Sequence, residues 1–351
     1  MHRRKVITAL AATGLGCLCP DLSLAESGEY FESSVGIIQP KSRTIPAGPG
    51  ERKNFEYRLG RAVLDLLETW YGQGDLPVWG RPLAETNMHK RVVNIVYWVM
   101  RSIPEEERVY PVDPVWIMAM MMEESCFYEF AVSWAFAVGI CQFMSATARS
   151  VGMICPENSE IQSRELKRPD LASSLARLQE LQSQRRELID SDPALFQNTQ
   201  ARLEEVLKTL ASGEEYPHSE RDLARLERLV RLDKEIAGAR SDYRTFLRAN
   251  YEGRSIFDAR DVEFLYRFDQ RTTYKKPIQG MVKIMAQNLR ARNGNLLAAT
   301  AAYNAGLSRT YTSRAGYEPY GRMPPYRETV AYLSRIVVNH HQMAQRMGSF
   351  R

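Results

Sequence analysis

The chain has 351 residues, with 47 Lys and Arg against 42 Asp and Glu, which gives a formal net charge of +5. Its 44% hydrophobic and 25% charged residues are typical of a globular protein long enough to bury a sizeable core. The basic excess is too small to argue for nucleic acid. Of the five histidines only His340 and His341 are close, and adjacent helical side chains diverge, so the sequence predicts no metal and no cofactor.

The N-terminal residues 1–25, MHRRKVITALAATGLGCLCPDLSLA, have the layout of a secretory signal peptide. A basic start precedes an apolar stretch too short to span a bilayer comfortably, and Ala25 ends the small-residue cleavage region. A lipid anchor at Cys17 and a twin-arginine signal at Arg3 and Arg4 are weaker alternatives. The sequence therefore predicts export to the periplasm or cell envelope, with no transmembrane span.

Cleavage after Ala25 changes the charge and the cysteine count. The mature chain keeps 44 basic and 41 acidic residues, an excess of +3, and its remaining cysteines are Cys126, Cys141 and Cys155. Three thiols allow at most one internal disulfide, and the sequence does not say which. A fold that depends on a disulfide framework is excluded.

The next segments predict a helical fold. Residues 26–53 are rich in Gly, Pro and Ser and predict a flexible leader, whereas residues 54–156 predict the first part of a domain. FEYRLGRAVLDLLETWY after Asn54 and the stretch 89–103 both carry apolar residues at helical spacing. Asp113 suits a helix cap and Pro114 the first helical position. Strand-like alternation is nearly absent from the sequence, so the predicted fold class is mainly α.

Residues 157–262 have a different sequence pattern from the preceding segment, because Leu recurs every three or four positions among many charged residues. The pattern predicts a helical insertion, either a long antiparallel hairpin or a small coiled-coil bundle, with breaks at Pro193 and near Pro217. We expect a solvated spacer packed on itself, with a docking arm for an envelope protein as the alternative. Residues 263–351 then predict the second part of the domain, with two helices joined at NGN and a last helix at 327–346.

The stretch MMEESCFYEF, residues 121–130, sets three carboxylates among sulphur and aromatic side chains. Glu124 ends an apolar helix, and Ile117, Met120 and Met121 lie above it on its face. Apolar surroundings favour the neutral carboxyl, so we expect a raised pKa and an acid able to donate a proton near neutral pH. A solvated or helix-pairing role is expected for Glu123 and Glu129.

Three separated stretches resemble the signatures of the soluble lytic transglycosylase family, whose catalytic domain has a lysozyme-like fold. The first runs from Glu124-Ser125 through Ser133 to Gly139-Ile140-Cys141-Gln142 and Met144; the second is 302–306, AYNAG; the third, PPYRETVAYL, contains Glu328 and Tyr332. The three stretches occur in the same order as the family's signatures, which argues against chance. The resemblance covers residues 111–152 and 269–339. It implies a lysozyme-like helical catalytic domain interrupted by the insertion at 157–262.

The resemblance implies a reaction and a set of roles. The reaction is cleavage of the bond between N-acetylmuramic acid and N-acetylglucosamine in peptidoglycan glycan strands, without water, to a 1,6-anhydro product. Glu124 becomes the single catalytic acid and base. The residues expected to bind substrate are Ser133, Gln142, Met144, Tyr303 and Tyr332. The residues expected to support them are Ser125, Gly139, Asn304 and Glu328.

Some of these residues have simpler explanations. Met144 could fill the core, Ser133 could cap a turn, and Asn304 is more typical of a structural hydrogen-bonder. The chain also departs from the family at Phe136, where glycine is usual. A bulky ring is not expected to adopt glycine's backbone conformations, so the loop should be reshaped or the cleft narrowed. Two alternative functions remain open: a lysozyme-like hydrolase and a wall-binding scaffold with impaired catalysis.

Overall fold

The structure is a computed structural model that describes residues 45–349. The predicted signal peptide and most of the predicted leader lie outside these residues. The described chain divides into two compact units: residues 45–160 with 255–349, and residues 161–254. The second unit lies within the segment 157–262 that the sequence predicts as an insertion.

Helices dominate both units. In chain order the α-helices are α1 (Pro49–Tyr71), α2 (Met88–Glu106), α3 (Pro114–Ser125), α4 (Ser145–Ser150), α5 (Ser174–Asp190), α6 (Pro193–Phe196), α7 (Thr199–Ala211), α8 (Ser219–Tyr251), α9 (Ala259–Phe268), α10 (Lys275–Ala291), α11 (Leu296–Ala305) and α12 (Arg327–Ser349). Short 3₁₀ helices occur at Leu83–Glu85, Pro156–Asn158, Ser163–Glu165, Pro169–Leu171, Gln270–Thr272, Leu307–Thr310 and Glu318–Tyr320. Between residues 45 and 349 there are isolated β-bridges but no β-strand. The mainly α fold class is confirmed.

Helix α3 lies at the centre of the first unit. Its start follows the predicted chemistry: Asp113 Oδ1 accepts a 2.8 Å hydrogen bond from the Val115 amide, and Pro114 opens the helix. Residues 114–122 are all buried, which is expected of a helix that is apolar all round. It packs against α2 and α12, so its last turn is fixed from two sides.

Helices α1, α10 and α11 pack on α2, on α12 or on both. Helix α12 also packs on α1 and α11, and α10 packs on α2 and α11. The predicted helices at 89–103 and 327–346 are confirmed as α2 and α12, which extend slightly further, and the two helices joined at NGN are α10 and α11. Helix α1 begins at Pro49, so its first turn lies within the predicted leader. Within residues 45–349, no helix is both long enough and apolar enough to cross a membrane.

The second unit consists mainly of α5 packed along α8. Apolar side chains at helical spacing are buried in both helices: Leu178, Leu181, Leu188, Leu232, Ile236 and Ala239. Polar pairs show that the two helices are antiparallel, because Lys167 bonds Asn250, Arg185 bonds Asp233 and Asp192 bonds Arg225. The break predicted at Pro193 is the start of α6, and Pro217 lies in the connection that precedes α8.

Candidate active site

The three carboxylates of residues 121–130 have different environments. Glu129 is fully buried, and its two oxygens accept hydrogen bonds of 3.0 and 2.6 Å from Arg91 on α2. Glu123 accepts bonds of 2.6–2.9 Å from Arg335 on α12. Both carboxylates are therefore bound by a guanidinium group through charge-assisted hydrogen bonds. Of the two roles expected for Glu129, the solvated one is wrong because the side chain is buried, whereas its bonds to Arg91 on α2 agree with the pairing one.

Glu124, at the end of α3, is bound by a tyrosine. The phenol of Tyr332 on α12 donates a 2.6 Å hydrogen bond to Glu124 Oε1. Tyr332 is 4% exposed, and burial, followed by the charge of Glu124, raises its pKa well above the ordinary value. The phenol therefore stays neutral and remains a donor. A neutral donor does not fix a charge on the carboxyl as a guanidinium does, so this contact is compatible with proton exchange at Glu124.

Tyr303 joins the same site from α11. Its hydroxyl donates a 2.8 Å hydrogen bond to the carbonyl oxygen of Cys141. Burial raises the pKa of Tyr303 well above its usual range, and the nearby groups Cys141 and Glu124 raise it further. Tyr303 thus lies within the electrostatic reach of Glu124, while its hydrogen bond holds the loop that precedes Gln142.

The second and third signature stretches meet through Asn304. Its side-chain oxygen accepts a 3.0 Å hydrogen bond from the Thr329 hydroxyl, which joins the end of α11 to the start of α12. Thr329 is buried, whereas Glu328 beside it is exposed and raises the pKa of Arg335, although less than Glu123 does. The structure thus gives Asn304 a structural hydrogen bond, and it places Glu328 on the surface near Arg335.

The loop after α3 is held by polar contacts with its own backbone. Ser125 donates to the Ile140 carbonyl at 3.0 Å, and the Ser133 hydroxyl accepts from the Ala137 amide at 2.9 Å. The Gln142 amide donates to the carbonyl oxygens of Gly139 and Ala131 at 2.9 and 3.3 Å. These contacts fix the loop's shape, and the turn-capping role considered for Ser133 is present.

Gly139 is required by a close approach of two chain segments. Its φ is +84°, and a Cβ at this position would lie 1.9 Å from the Arg271 carbonyl oxygen. No side chain fits there without moving the backbone. Gly139 therefore fixes the distance between the loop after α3 and the segment that leads into α10.

Phe136 corrects a sequence-based expectation. Its φ is +65°, so the residue adopts the left-handed backbone conformation that glycine usually provides. The ring is 8% exposed, so burial offsets the steric cost of this conformation, about 1–2 kcal/mol. The expectation that a bulky ring cannot take this conformation is wrong.

Arg271 is a site residue that the sequence analysis missed. Its side chain is fully buried and forms two hydrogen bonds, of 2.8 and 2.7 Å, with the buried carboxylate of Asp269. Its Nη1 also donates at 3.2 Å to the carbonyl oxygens of Phe136 and Phe143. Arg271 thus binds both ends of the segment 136–143, which contains Gly139 and Gln142. In the sequence, the opposite charges of Asp269 and Arg271, two residues apart near the start of the segment 263–351, could have indicated this ion pair.

Met144 and Trp134 give the site an accessible apolar surface. Met144 is 44% exposed, so the core-filling role considered for it is wrong, and Trp134 is 47% exposed. Gln142 and Tyr303 are half-buried. Within residues 45–349, no group of three or more His, Cys, Asp or Glu side chains is placed to hold a metal ion.

Comparison with known families agrees with this arrangement. Residues 101–190 match the family model described as Transglycosylase SLT domain. This part of the chain is similar to a transglycosylase SLT domain. This confirms the resemblance to soluble lytic transglycosylases. Comparisons with curated proteins and with solved structures gave no match.

The SLT domain implies lytic transglycosylase activity on peptidoglycan. Its matched range contains Glu124 and the loop through Met144, and it continues past residue 156 to the end of α5. The signature residues around Tyr303 and Tyr332 lie outside it. They nevertheless contact the matched part directly, through the bonds to Cys141 and Glu124.

Proposed function

We propose that this protein is an exported lytic transglycosylase in which Glu124 is the single catalytic acid and base. The observation that carries the proposal is the Tyr332–Glu124 hydrogen bond of 2.6 Å at the end of the buried helix α3. Glu123 and Glu129 each form an ion pair with an arginine, so both carboxylates already have a structural partner of opposite charge. Of the three carboxyls, Glu124 is the one that accepts a hydrogen bond from Tyr332.

The proposed reaction uses the Glu124 carboxyl twice, first as an acid and then as a base. Glu124 donates its proton to the oxygen that bridges muramic C1 and the next sugar, and the C1–O bond breaks. The ionised Glu124 then accepts the proton of the muramic C6 hydroxyl while that oxygen bonds to C1. The product is a 1,6-anhydro sugar, and the enzyme returns to its starting protonation state. The substrate's own N-acetyl carbonyl supplies the nucleophilic help that a second carboxylate gives in two-carboxylate glycosidases.

The proposed roles of the other residues follow from their positions. Tyr332 orients the Glu124 carboxyl, and Tyr303 positions the loop at Cys141 while its ring lies beside the leaving saccharide. Exposed Met144 lines the sugar cleft together with Gln142. The Ser133 hydroxyl, which accepts the backbone bond from Ala137, is proposed to lie near the acetamido group of the substrate.

The proposed location is the cell envelope, where the glycan substrate is found. The segment 157–262 is proposed to restrict access to the cleft or to dock onto an envelope protein. Replacing residues 160–260 by a short linker tests this role. Changed wall digestion or changed localisation supports it, and unchanged values of both contradict it.

Product analysis with purified wall tests the central proposal. The Glu124→Gln protein is expected to lose roughly 10²–10⁴-fold of the wild-type rate, because general acid catalysis contributes that much. Glu107→Gln makes the same chemical change on an exposed turn and serves as the matched control. Mass spectrometry then identifies the products: anhydro ends support the proposal, and products one water heavier identify a hydrolase. Equal glycan release by the wild type and Glu124→Gln would contradict the role of Glu124, and no release by either protein would leave the scaffold alternative.

A further inference from the structure

The loop between α11 and α12 exposes large apolar side chains to which the proposed reaction gives no role. Leu307 is 42% exposed, Tyr311 58%, Tyr317 55% and Met323 46%. All four lie in residues 307–323, which we call the tyrosine loop and which fall between the second and third signature stretches. Several exposed apolar side chains on one short loop that is held by a helical framework favour a binding role.

Both ends of the tyrosine loop lie at the candidate active site. Asn304, shortly before the loop, accepts a 3.0 Å hydrogen bond from the hydroxyl of Thr329, shortly after it. Asn304 is next to Tyr303, and Thr329 is on the same helix as Tyr332. The loop therefore starts from the site and returns to it. A polymer that extends out of the site is in a position to meet this loop.

Hydrogen bonds from a buried arginine anchor the tyrosine loop. Arg292, which is 8% exposed, donates at 2.8 Å to the Thr310 hydroxyl and at 2.7 Å to the Leu307 carbonyl oxygen. The Arg322 amide donates at 2.8 Å to the carbonyl oxygen of Thr310, which closes the loop. The two exposed tyrosines lie between these closing residues. Because the backbone is already held, a ligand that covers their rings orders little additional chain.

Arginines lie between the exposed apolar residues of the loop. Arg309, Arg314 and Arg322 are all exposed, and Glu318 is the single acidic residue of the loop. The Arg314 guanidinium lies 5.4 Å from the centre of the Tyr317 ring. The loop thus combines aromatic faces with an excess of positive charge. An anionic polysaccharide complements both features, because sugar rings have apolar C–H faces that pack on aromatic rings and its carboxylates pair with guanidinium groups.

We infer that the tyrosine loop is a second glycan-binding surface, which holds the part of a peptidoglycan strand that extends beyond the cleaved bond. Tyr311 and Tyr317 pack on N-acetyl sugar rings. The arginines bind carboxylates of muramic acid or, in the intact wall, of its stem peptide. The inference rests on the proposed function for the choice of polymer. It adds affinity for long strands and leaves the chemical step at Glu124 unchanged.

Binding of glycan strands of two lengths tests the inference. Mature Glu124→Gln protein is titrated calorimetrically with a peptide-free tetrasaccharide and a dodecasaccharide of alternating N-acetylglucosamine and N-acetylmuramic acid. We expect the dodecasaccharide to bind at least about tenfold more tightly, because it reaches the cleft and the loop together. A dodecasaccharide of N-acetylglucosamine alone has no carboxylates and is expected to bind more weakly than the muramic strand of equal length.

Tyrosine variants locate the second surface. In the same parent, Tyr311→Ala/Tyr317→Ala should weaken binding of the dodecasaccharide at least about tenfold. Binding of the tetrasaccharide should stay unchanged, which also shows that the cleft is intact. Tyr57→Ala/Tyr97→Ala removes two exposed tyrosines from α1 and α2, and this control should bind both oligosaccharides like the parent.

Three results would overturn the inference: equal effects of the two double variants, a parent that does not prefer the longer muramic strand, or equally tight binding of the uncharged strand. None of them measures cleavage. The product analysis of the wild type therefore judges the proposed function separately, and anhydro products without a length preference would contradict the second surface alone.

Discussion

Tyr332 on α12 and Glu124 on α3, 208 residues apart in sequence, are joined by a 2.6 Å hydrogen bond. The same two helices are linked at the other end of α3, where His340 Nε2 lies 2.9 Å from Asp113 Oδ2. Arg335 adds a third link, to Glu123. Helix α3 is therefore tied to α12 at both ends. This leaves little freedom for the Glu124 carboxyl, which is the rigidity that positioned proton transfer requires.

The Tyr332→Phe variant tests whether the Tyr332 hydroxyl positions the Glu124 carboxyl for catalysis. A hydrogen bond to a charged group contributes about 1.5–3 kcal/mol. Its loss should therefore lower kcat roughly 10–100-fold. The phenol stabilises the ionised carboxyl, so its loss should also shift the alkaline limb of the pH–rate profile to higher pH. Rates of wall digestion between pH 5 and 9 provide the measurement. An unchanged rate and an unchanged pH profile would show that the bond does not contribute to catalysis.

Local chemistry was enough to predict the helices around the site. Asp113 and Pro114 mark the start of α3, and apolar spacing identifies α2 and α12, because these signals act within a few residues. The partners of the acidic residues could not be predicted in this way. Arg91 is 38 residues from Glu129, and Arg335 is 212 residues from Glu123. Such pairs depend on tertiary packing, which no local pattern encodes.

The conformation of the loop after α3 also could not be predicted from local sequence patterns alone. Gly139 could be recognised as important from its motif, but the reason lies in the Arg271 carbonyl, which approaches from another part of the chain. At Phe136 a rule based on backbone preference failed. The preference is a cost of about 1–2 kcal/mol, and burial of a large ring can exceed it.

The buried pair Asp269–Arg271 should couple stability to the shape of this loop. Arg271→Ala leaves a fully buried carboxylate without its guanidinium, and we expect the free energy of unfolding to fall by about 3–5 kcal/mol. The double variant Asp269→Asn/Arg271→Ala removes the uncompensated charge and should be more stable than Arg271→Ala. Both proteins lose the bonds to Phe136 and Phe143, so both should lose activity.

Urea unfolding of Asp269→Asn, Arg271→Ala and the double variant measures this coupling as a thermodynamic cycle. The wild type provides the reference for both stability and wall digestion. Additive losses would show that the pair is not coupled. Full activity in the double variant would contradict the positioning role of Arg271 in the loop.

Alanine substitutions at Gly139 and Gly152 distinguish the cost of a close contact from the cost of a left-handed backbone conformation. Gly139→Ala places a Cβ 1.9 Å from the Arg271 oxygen, so the backbone must shift and the loop around Gln142 must move with it. Gly152 has a similar φ, +80° against +84°, but no atom lies within 4 Å of its added Cβ. We expect Gly152→Ala to cost about 1 kcal/mol through backbone strain, and Gly139→Ala to cost clearly more and to lower activity. Thermal unfolding and digestion rates measure both effects, and equal losses at the two glycines would contradict the importance of the contact.

The buried thiols predict a specific loss of stability at high pH. The pKa values of Cys126 and Cys155 are raised to about 12, mainly because the two thiols are buried. The folded protein therefore keeps these thiols neutral, whereas the unfolded chain ionises them at their ordinary pKa of about 8.5. The stabilisation is complete below that value and is lost as the pH rises towards 12.

Cys155→Ala should remove one of these two contributions. Between pH 8 and pH 10 we expect the variant to lose about 1–2 kcal/mol less of its free energy of unfolding than the wild type does. Urea unfolding at both pH values gives this difference, in which the titration of all other groups cancels. The raised pKa also predicts slow alkylation of the folded protein by iodoacetamide at pH 8 and rapid alkylation in urea, since the thiolate is the nucleophile. Identical pH dependence in the two proteins, with fast alkylation of folded Cys155, would show that this thiol ionises as readily in the fold as in water.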